Sequence, residues 1–206
     1  SVTLNVTSAS DVVTVSADLA AANTLTLADS GGGYTLSGAA DNRVTIGADA
    51  GTDGTTAVTL GDEADVVTGS ADADTVTMAT NTASHNDNVS LGARNDTFGA
   101  ANIITASDTI AGGAGTDTLQ IADGVAATDA AWDLVTGFEE VTLLTDTTDN
   151  AVNATFTDTF VGNQDNDSVT LNVTSASDVV TVSADLAAAN TLTLADSGGG
   201  YTLSGA

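Results

Sequence analysis

The 206-residue sequence lacks cysteine, proline and lysine, and it has few aromatic residues. Without cysteine, no disulfide stabilises the chain and no thiol chemistry is available. Proline would remove hydrogen bonds from a strand ladder, so its absence over this length favours continuous β-sheet. Aromatic residues make up 3% of the chain, so Val, Leu, Ile and Ala must form the core. Such side chains suit the narrow interior of a solenoid better than the wide core of a sandwich.

Positive charge is almost absent as well. Arg43 and Arg94 stand against 28 acidic residues, which gives a net charge of −26. This excludes nucleic acid as a partner, because phosphate contacts require cationic side chains. It also argues against attraction to an anionic membrane surface. Of the acidic residues 25 are Asp, and this bias indicates turns and short metal ligands. An acidic, lysine-free surface is also typical of a halophile, and that alternative stays open.

No apolar run is as long as a membrane span, and no signal peptide is recognisable. We therefore expect no direct insertion of this chain into a membrane. The sequence begins at Ser1 rather than at Met, which favours its interpretation as an excerpt.

The segment from Gly112 to Gln120 matches the nonapeptide G-G-x-G-x-D-x-U-x at every position. In that pattern a glycine-rich turn precedes a short strand with one inward apolar residue, here Leu119. Glycines adopt backbone angles that are closed to other residues, so the turn can curl and direct its carbonyl oxygens at one point. Asp117 adds a carboxylate there. Carbonyl and carboxylate oxygens on a flexible loop are the ligands that calcium prefers.

The signature of an Asp, any residue and an apolar residue recurs along the middle of the chain. Alternate copies lie 22 and then 21 residues apart. They form a first ladder, Asp65, Asp87 and Asp108, and a second ladder, Asp74, Asp96 and Asp117.

Two interleaved ladders predict an all-β fold, a parallel β-solenoid with about 21 residues per coil and two short strands in each coil. Thr, Val, Asn, Asp and Gly are mediocre or poor helix formers, which fits this fold. Carboxylates of one ladder would lie about 4.8 Å apart, the distance between neighbouring strands. Like charges in this arrangement are destabilising, and a divalent cation between them would reverse that effect.

These motifs resemble the RTX (repeats-in-toxin) family of calcium-binding β-rolls. A second match is Gly162 to Thr170, while the other copies keep the Asp and the apolar residue and lose most glycines. The resemblance implies calcium bound in the turns by Asp side chains and backbone carbonyls, with folding outside the cell after type I secretion. It assigns as metal ligands Asp65, Asp74, Asp87, Asp96, Asp108, Gly113, Gly115, Asp117, Asp158, Asp165, Asp167 and Asp178.

Residues 1–39 are identical to residues 168–206, so Ser1 corresponds to Ser168 and Ala39 to Ala206. Structural need alone does not preserve so long a segment in a solenoid, so the identity indicates a tandem repeat. We therefore predict one repeat unit over residues 1–167 and the start of an identical unit over residues 168–206. At about 21 residues per coil, one unit would hold about eight coils and advance about 38 Å along the axis.

The solenoid pattern breaks after Leu119. Residues 128–137 carry the signals of a short helix, with a capping Thr, an apolar run and a terminal Gly. We expect this insert to pack Trp132 and Phe138 against the flank of the solenoid. Strands at residues 158–160 and 167–169 should then continue the coils into the next unit.

The sequence therefore predicts a structural protein and not an enzyme: a calcium-binding repeat of an extracellular fibre, surface layer or adhesin stalk. Its expected partners are calcium ions and copies of itself, in tandem and laterally. One alternative is a β-helical polysaccharide-modifying enzyme, although His85, Arg43 and Arg94 offer no clustered base and cation. Another is ice or crystal binding by a Thr array, although Thr pairs do not recur at one register through every coil of the sequence. Acid is expected to unfold the chain as a chelator would, because protonated carboxylates do not ligate.

Overall fold

The computed structural model describes residues 2–5, 12–15, 25–28, 33–36, 43–47, 56–60, 64–78, 86–100, 104–122, 126–127, 129–144, 153–174, 179–183, 187–195 and 200–204. Within these ranges the chain is a parallel β-solenoid, as predicted. Its strands are β1 (Val2–Asn5), β2 (Val12–Val15), β3 (Leu25–Ala28), β4 (Gly33–Leu36), β5 (Arg43–Gly47), β6 (Thr56–Thr59), β7 (Val66–Thr68), β8 (Asp74–Thr77), β9 (Asn88–Ala93), β10 (Thr97–Ala100), β11 (Thr109–Ala114), β12 (Thr118–Ile121), β13 (Ala126–Ala127), β14 (Val135–Thr136), β15 (Glu140–Leu143), β16 (Asn153–Phe156), β17 (Ser168–Val173), β18 (Val179–Ser183), β19 (Thr191–Ala195) and β20 (Gly200–Ser204). The helical elements are α1 (Asp158–Gly162) and two 3₁₀ helices, Asp129–Trp132 and Asp165–Asp167.

The strands form three sheets, and the strand pairs that build them are parallel. Sheet A has the order β1-β3-β5-β7-β9-β11-β14. Sheet B has the order β19-β17-β15-β12-β10-β8-β6-β4-β2, and sheet C has the order β13-β16-β18-β20. Successive strands alternate between sheets A and B up to β12, so each coil contributes one strand to each sheet.

Side chains alternate between the interior and the surface along the strands, as a period of two requires. In β8 and β12, for example, buried and half-buried positions strictly alternate. In the coils that carry the two ladders, paired residues are 21 or 22 apart, as Thr97 shows with its partners Thr118 and Thr75. Elsewhere the interval varies, from 18 between Thr56 and Asp74 to 30 between Glu140 and Thr170. Both the coil length and the inward direction of the apolar signature residues are confirmed. All of the latter are almost completely buried: Val67, Val76, Val89, Phe98, Ile110 and Leu119.

Between β12 and β17 the coils change the pair of sheets to which they contribute strands, which we call a change of face. After β12 the chain adds β13 to a new sheet C before it returns to sheet A as β14 and to sheet B as β15. It then adds β16 to sheet C, and α1 and the second 3₁₀ helix follow where a strand of sheet A would come next. From β17 onward the strands alternate between sheets B and C. A two-sided solenoid thus passes through three-sided coils and becomes two-sided again on a different pair of faces.

The repeated sequence keeps its strand registers although it lies in different sheets. Val2 pairs with Leu25 in sheet A, and the corresponding Val169 pairs with Leu192 in sheet B. In the same way β2 pairs with β4 in sheet B, and β18 pairs with β20 in sheet C, with matching residues opposite each other. The second copy therefore continues the solenoid directly from the first.

The helical segments differ in part from the sequence prediction. Within the described part of the predicted insert, residues 129–137, only Asp129–Trp132 is helical, as a single 3₁₀ turn. The segment Val135–Thr136 is strand β14, because it pairs with Ile110 and Ala111 of sheet A. The predicted strand at residues 158–160 is wrong, since these residues form α1.

Trp132 and Phe138 are completely buried, as part of the core rather than as a ligand surface. The ring of Trp132 lies 5.3 Å from that of Phe156 and 5.2 Å from that of Phe160, measured between centroids. Phe156 is the last residue of β16 and Phe160 lies in α1, so the three rings tie the 3₁₀ turn to the helix. Aromatic pairs at such distances add to the free energy gained by burial alone.

Gln164 closes the open edge of sheet A. Its side-chain amide nitrogen donates to the carbonyl oxygens of Val135 and Phe160, at 3.0 and 2.7 Å. Its amide oxygen accepts a hydrogen bond from the backbone N–H of Phe138 at 2.8 Å. One buried side chain thereby satisfies a carbonyl of β14 and an N–H just after it, which a further strand of sheet A would otherwise pair with. A sheet edge satisfied in this way is not available for pairing with another chain.

Replacing Gln164 by Leu should lower the free energy of unfolding by about 2 to 4 kcal/mol, because a buried carbonyl and a buried N–H lose their partners. Urea unfolding followed by circular dichroism measures this loss. The matched control is Gln120→Leu, the same change at a half-buried strand position, which should cost less than about 1 kcal/mol. Equal losses in the two variants would contradict the capping role of Gln164.

Candidate functional site: two ladders of buried carboxylates

The six ladder carboxylates lie at the corners of the coils, just before or at the start of a strand. The first ladder precedes the strands of sheet A, and the second ladder precedes those of sheet B. All six side chains are at most 5% exposed. A column of Asp at such burial is unusual, because Asp is almost never fully buried without a partner. The structure therefore brings each predicted ladder together and places it inside the solenoid.

Each ladder carboxylate after the first accepts a hydrogen bond from the coil before it. In the first ladder Asp87 accepts from the backbone N–H of Asp65 at 2.8 Å, and Asp108 accepts from that of Asp87 at 3.0 Å. In the second ladder Asp96 accepts from the N–H of Asp74 at 2.7 Å, and Asp117 accepts from that of Asp96, also at 2.7 Å. The carboxylates thus satisfy backbone N–H groups at the corners, where buried donors need a partner.

Glu139 extends the second ladder by one coil, which the sequence interpretation missed. Its Oε2 accepts the backbone N–H of Asp117 at 2.7 Å. The signal was present, since Glu139 follows Asp117 by 22 residues and precedes an arbitrary residue and the apolar Val141. A signature restricted to Asp does not include this residue.

The two ladders differ at their second carboxylate oxygens. Oδ2 of Asp108, in the first ladder, accepts hydrogen bonds from the backbone N–H and the hydroxyl of Thr105, at 2.8 and 3.2 Å. In the second ladder, Oδ2 of Asp96, Oδ2 of Asp117 and Oε1 of Glu139 are buried and have no hydrogen-bond partner. Negative charge in the second ladder is therefore not fully compensated by the protein.

The electrostatic consequence is a raised pKa for the central members of the second ladder. Burial raises the pKa of Asp96 to about 7, and the neighbouring charges of Asp117 and Asp74 add to this effect. Burial also raises the pKa of Asp117, helped by the charges of Glu139 and Asp165. In both cases the hydrogen bond from a backbone N–H opposes the increase without cancelling it. The second ladder thus favours either bound protons or a bound cation near neutral pH.

The glycines of the nonapeptide have a packing role. Gly113 has a φ of 112°, and a Cβ atom there would lie 2.2 Å from the carbonyl oxygen of Gly92 in the adjacent coil. A Cβ atom on Gly115 would lie 1.9 Å from the carbonyl oxygen of Arg94. These positions therefore need glycine because backbones of neighbouring coils approach closely at the corner. The prediction that the carbonyls of Gly113 and Gly115 bind calcium stays a prediction.

The donor set at the second ladder fits a hard cation in type. Three carboxylate oxygens without partners lie in successive coils at the residues Asp96, Asp117 and Glu139. Among the described residues, however, no three acidic or imidazole side chains converge in the way a dedicated carboxylate cage would require. A cation at this ladder would therefore also need backbone carbonyls or water as ligands. Asp108 fits a cation less well, because both of its oxygens already accept hydrogen bonds.

Of the remaining predicted ligands, those in the described part of the chain do not continue either ladder. Asp158 is in α1, where its Oδ1 accepts hydrogen bonds from Asn190 and from the backbone N–H of Ala187. Asp165 is exposed and belongs to the second 3₁₀ helix with Asp167. The pairing of Glu140 with Thr170 places Val169, and not Asp167, level with Glu139. Asp178 and His85 lie outside the described residues.

Thr residues recur at one register in part of the solenoid, but not through every coil, as the sequence indicates. On sheet A the paired positions Thr3, Thr26, Thr45 and Thr68 form a column across four coils. Sheet B carries a similar column of paired positions at Thr14, Thr35, Thr59 and Thr77. Both columns are then interrupted, at Ser90 and Ala111 on sheet A and at Gly99 and Gln120 on sheet B. β-branched residues suit such strand positions whatever their function.

Comparison of this chain with protein-family models, with curated proteins and with solved structures finds no match. A search of the described residues for a helix long and apolar enough to span a membrane also finds none.

In the presence of a chelator, the chain should be more stable at pH 5 than at pH 8. The folded-state pKa of Asp96, about 7, lies above its ordinary value of 3.8, so its stabilising contribution is complete below pH 4 and is lost as the pH rises through 7. The expectation that acid unfolds the chain as a chelator does concerns the calcium-bound protein and stays a prediction. Thermal unfolding between pH 4 and 8 measures the effect, and stability that falls steadily below pH 7 would contradict it.

Asp96→Asn and Asp108→Asn should change stability in opposite directions at pH 8 without divalent ions. The Asp96 variant keeps an oxygen for the N–H of Asp74 and removes an uncompensated buried charge, so unfolding should cost on the order of 1 to 3 kcal/mol more. The Asp108 variant cannot accept both hydrogen bonds from Thr105 with an amide nitrogen, so stability should fall by about 1 to 3 kcal/mol. Urea unfolding measures both, and the same sign for the two variants would show that the ladders are electrostatically alike.

Proposed function

We propose that this chain is a segment of a structural tandem array, exposed at a cell surface as a fibre, surface layer or adhesin stalk. One observation carries the proposal: the second copy of the repeated sequence pairs with the first as a direct continuation of the solenoid. Strand β17 adds to β15 in sheet B, and β18 adds to β16 in sheet C. Each copy thus supplies strand partners for the copy before it.

Repeat architecture explains why such continuation is useful. A solenoid end exposes unpaired strand edges, which normally require a cap. Here the edges of β15 and β16 are covered by strands of the next copy, and the edge of β14 is covered by Gln164. An array of these units would be long, continuous and free of open edges between copies. Its function would be to span distance or to cover a surface, not to catalyse a reaction.

Calcium is the proposed ligand of the second ladder. Asp96, Asp117 and Glu139 would provide buried carboxylate oxygens that have no partner in the protein. Calcium would neutralise the charge that otherwise favours protonation of Asp96. In a cytosol with little calcium, the net charge of −26 would keep the chain expanded. Outside the cell, the free energy of calcium binding would become free energy of folding.

The likeness to RTX proteins enters this proposal at two levels. The parallel solenoid, whose paired residues recur at the interval of the two ladders, is compatible with a β-roll repeat. Membership of the RTX family, type I secretion and lateral assembly with further copies extend beyond that likeness and are part of the proposal. The nonapeptide at Gly112 to Gln120 supports the first of these, membership of the RTX family.

The Thr columns favour a second candidate, in which a row of Thr hydroxyl groups binds ice or another crystal lattice. The columns support it only in part, because each is interrupted after four coils. Thermal hysteresis of the 206-residue chain would distinguish this function from a purely structural one.

Calcium should raise the unfolding midpoint of the 206-residue chain at pH 7.5, whereas magnesium at equal concentration should raise it less. Asp117→Asn should reduce the calcium effect at least tenfold in apparent affinity, because it removes a carboxylate from the second ladder. The matched Asp108→Asn variant should retain the calcium response from its lower starting stability. Circular dichroism during calcium titration measures all three proteins. No calcium effect on the unaltered chain, or equal losses in both variants, would refute calcium binding at the second ladder.

Lengthening the chain by one further repeat period should extend the particle by about 34 Å. This value follows from the seven strands that each period contributes to sheet B before β17, at about 4.8 Å per strand. It replaces the estimate of about eight coils and about 38 Å from the sequence. Small-angle X-ray scattering of both chains measures the increment. An unchanged maximum dimension, with an increased cross-section, would show that the copies fold side by side and would refute a linear array.

A further inference from the structure

The identical segments of the two copies do not lie on the same face of the solenoid. Strands β1 and β3 belong to sheet A, but their counterparts β17 and β19 belong to sheet B. Strands β2 and β4 belong to sheet B, but their counterparts β18 and β20 belong to sheet C. The local pairing is the same in both copies, so the change of face arises between them, in residues 122–167.

Two features between β12 and β17 accompany this change. Strands β13 and β16 open sheet C beside the two existing sheets. Helix α1 and the following 3₁₀ helix then take the place of a strand in sheet A, and Gln164 caps β14. On the other side of α1, the turn at residues 187–190 holds Asp158 through Asn190 and the N–H of Ala187. Sheet A therefore ends where the next copy begins, while sheets B and C continue.

We propose that every repeat period moves the array by one face in a cycle of three. Sheets A and B carry the first copy, sheets B and C carry the second, and sheet C with a new sheet on the side of A would carry the third. Each complete sheet would begin with two strands equivalent to β13 and β16. Seven strands equivalent to those of the first copy in sheet B would follow, and then seven equivalent to those of the first copy in sheet A. The binding partner of each copy is thus a further copy displaced by one face about the solenoid axis.

This inference rests on the proposed tandem array, but it concerns the geometry of the junction alone. If the copies instead kept their faces, β17 would follow β14 in sheet A, and Thr170 would lie beside Thr136. In the structure Thr170 pairs with Glu140 of sheet B. The two arrangements therefore place Thr170 next to different residues.

Engineered disulfides in the 206-residue chain test the junction directly, because the chain contains no cysteine of its own. Paired residues of neighbouring parallel strands lie about 4.8 Å apart, within the range that a disulfide spans. Glu140→Cys with Thr170→Cys should close in most molecules under mild oxidation, as measured by mass spectrometry of peptides. Thr136→Cys with Thr170→Cys should remain at least tenfold less cross-linked. Ala111→Cys with Thr136→Cys, a neighbouring pair within sheet A, is the positive control for closure at Thr136.

Closure of the Thr136 and Thr170 pair, or equal closure of both pairs at Thr170, would overturn the change of face. In a chain lengthened by one period, with Glu140→Cys and Thr170→Cys repeated at both junctions, two disulfides per molecule are expected. One disulfide per molecule would overturn the cycle while leaving the first junction intact. Two disulfides in a chain that shows no axial lengthening by scattering would refute the linear array and not the local junction.

Discussion

The middle of the structure depends on one constraint: at five described corners of its coils a backbone N–H turns inward and must find an acceptor. In the described part of the chain, a carboxylate from the next coil supplies it, from Asp65 through Asp108 on one side and from Asp74 through Glu139 on the other. The coil length follows from this requirement. Only a spacing of one full coil places the next acidic residue directly over the previous one. The same bonds bury the charge that determines how the second ladder responds to pH and to cations.

One residue type at equivalent corners gives two different electrostatic environments. The difference in hydrogen bonding comes from Thr105, whose N–H and hydroxyl satisfy the second oxygen of Asp108. Asp96 has no hydrogen-bond donor at its Oδ2, and burial raises its pKa. The contrast shows that a ladder of Asp is not in itself a row of metal sites. Whether a given carboxylate favours a proton, a cation or neither depends on the donors that surround its second oxygen.

Much of the regular part of this fold could be predicted from sequence, because it depends on short periods. Alternation within strands identified inward residues such as Leu119, and the constant interval between Asp residues identified both ladders. Helix α1 could not be predicted, because Asp158, Thr159 and Phe160 match the strand signature and only contacts with Trp132 and Asn190 select the helix. The change of face could not be predicted either. It depends on a third sheet whose opening strand, Ala126–Ala127, carries almost no pattern.

The cap at Gln164 has a mechanical consequence. Because sheet A ends at β14 while β15 and β16 pair onward with β17 and β18, the ends of the sheets are staggered along the axis. A pull along the solenoid therefore meets no single plane at which every sheet can part. A rupture that begins at the end of one sheet would have to break the hydrogen bonds between strands of two intact sheets before it crossed the molecule. The sheets of neighbouring copies therefore overlap along the axis at the junction. We expect the junction to resist force to the same degree as the coils within one copy.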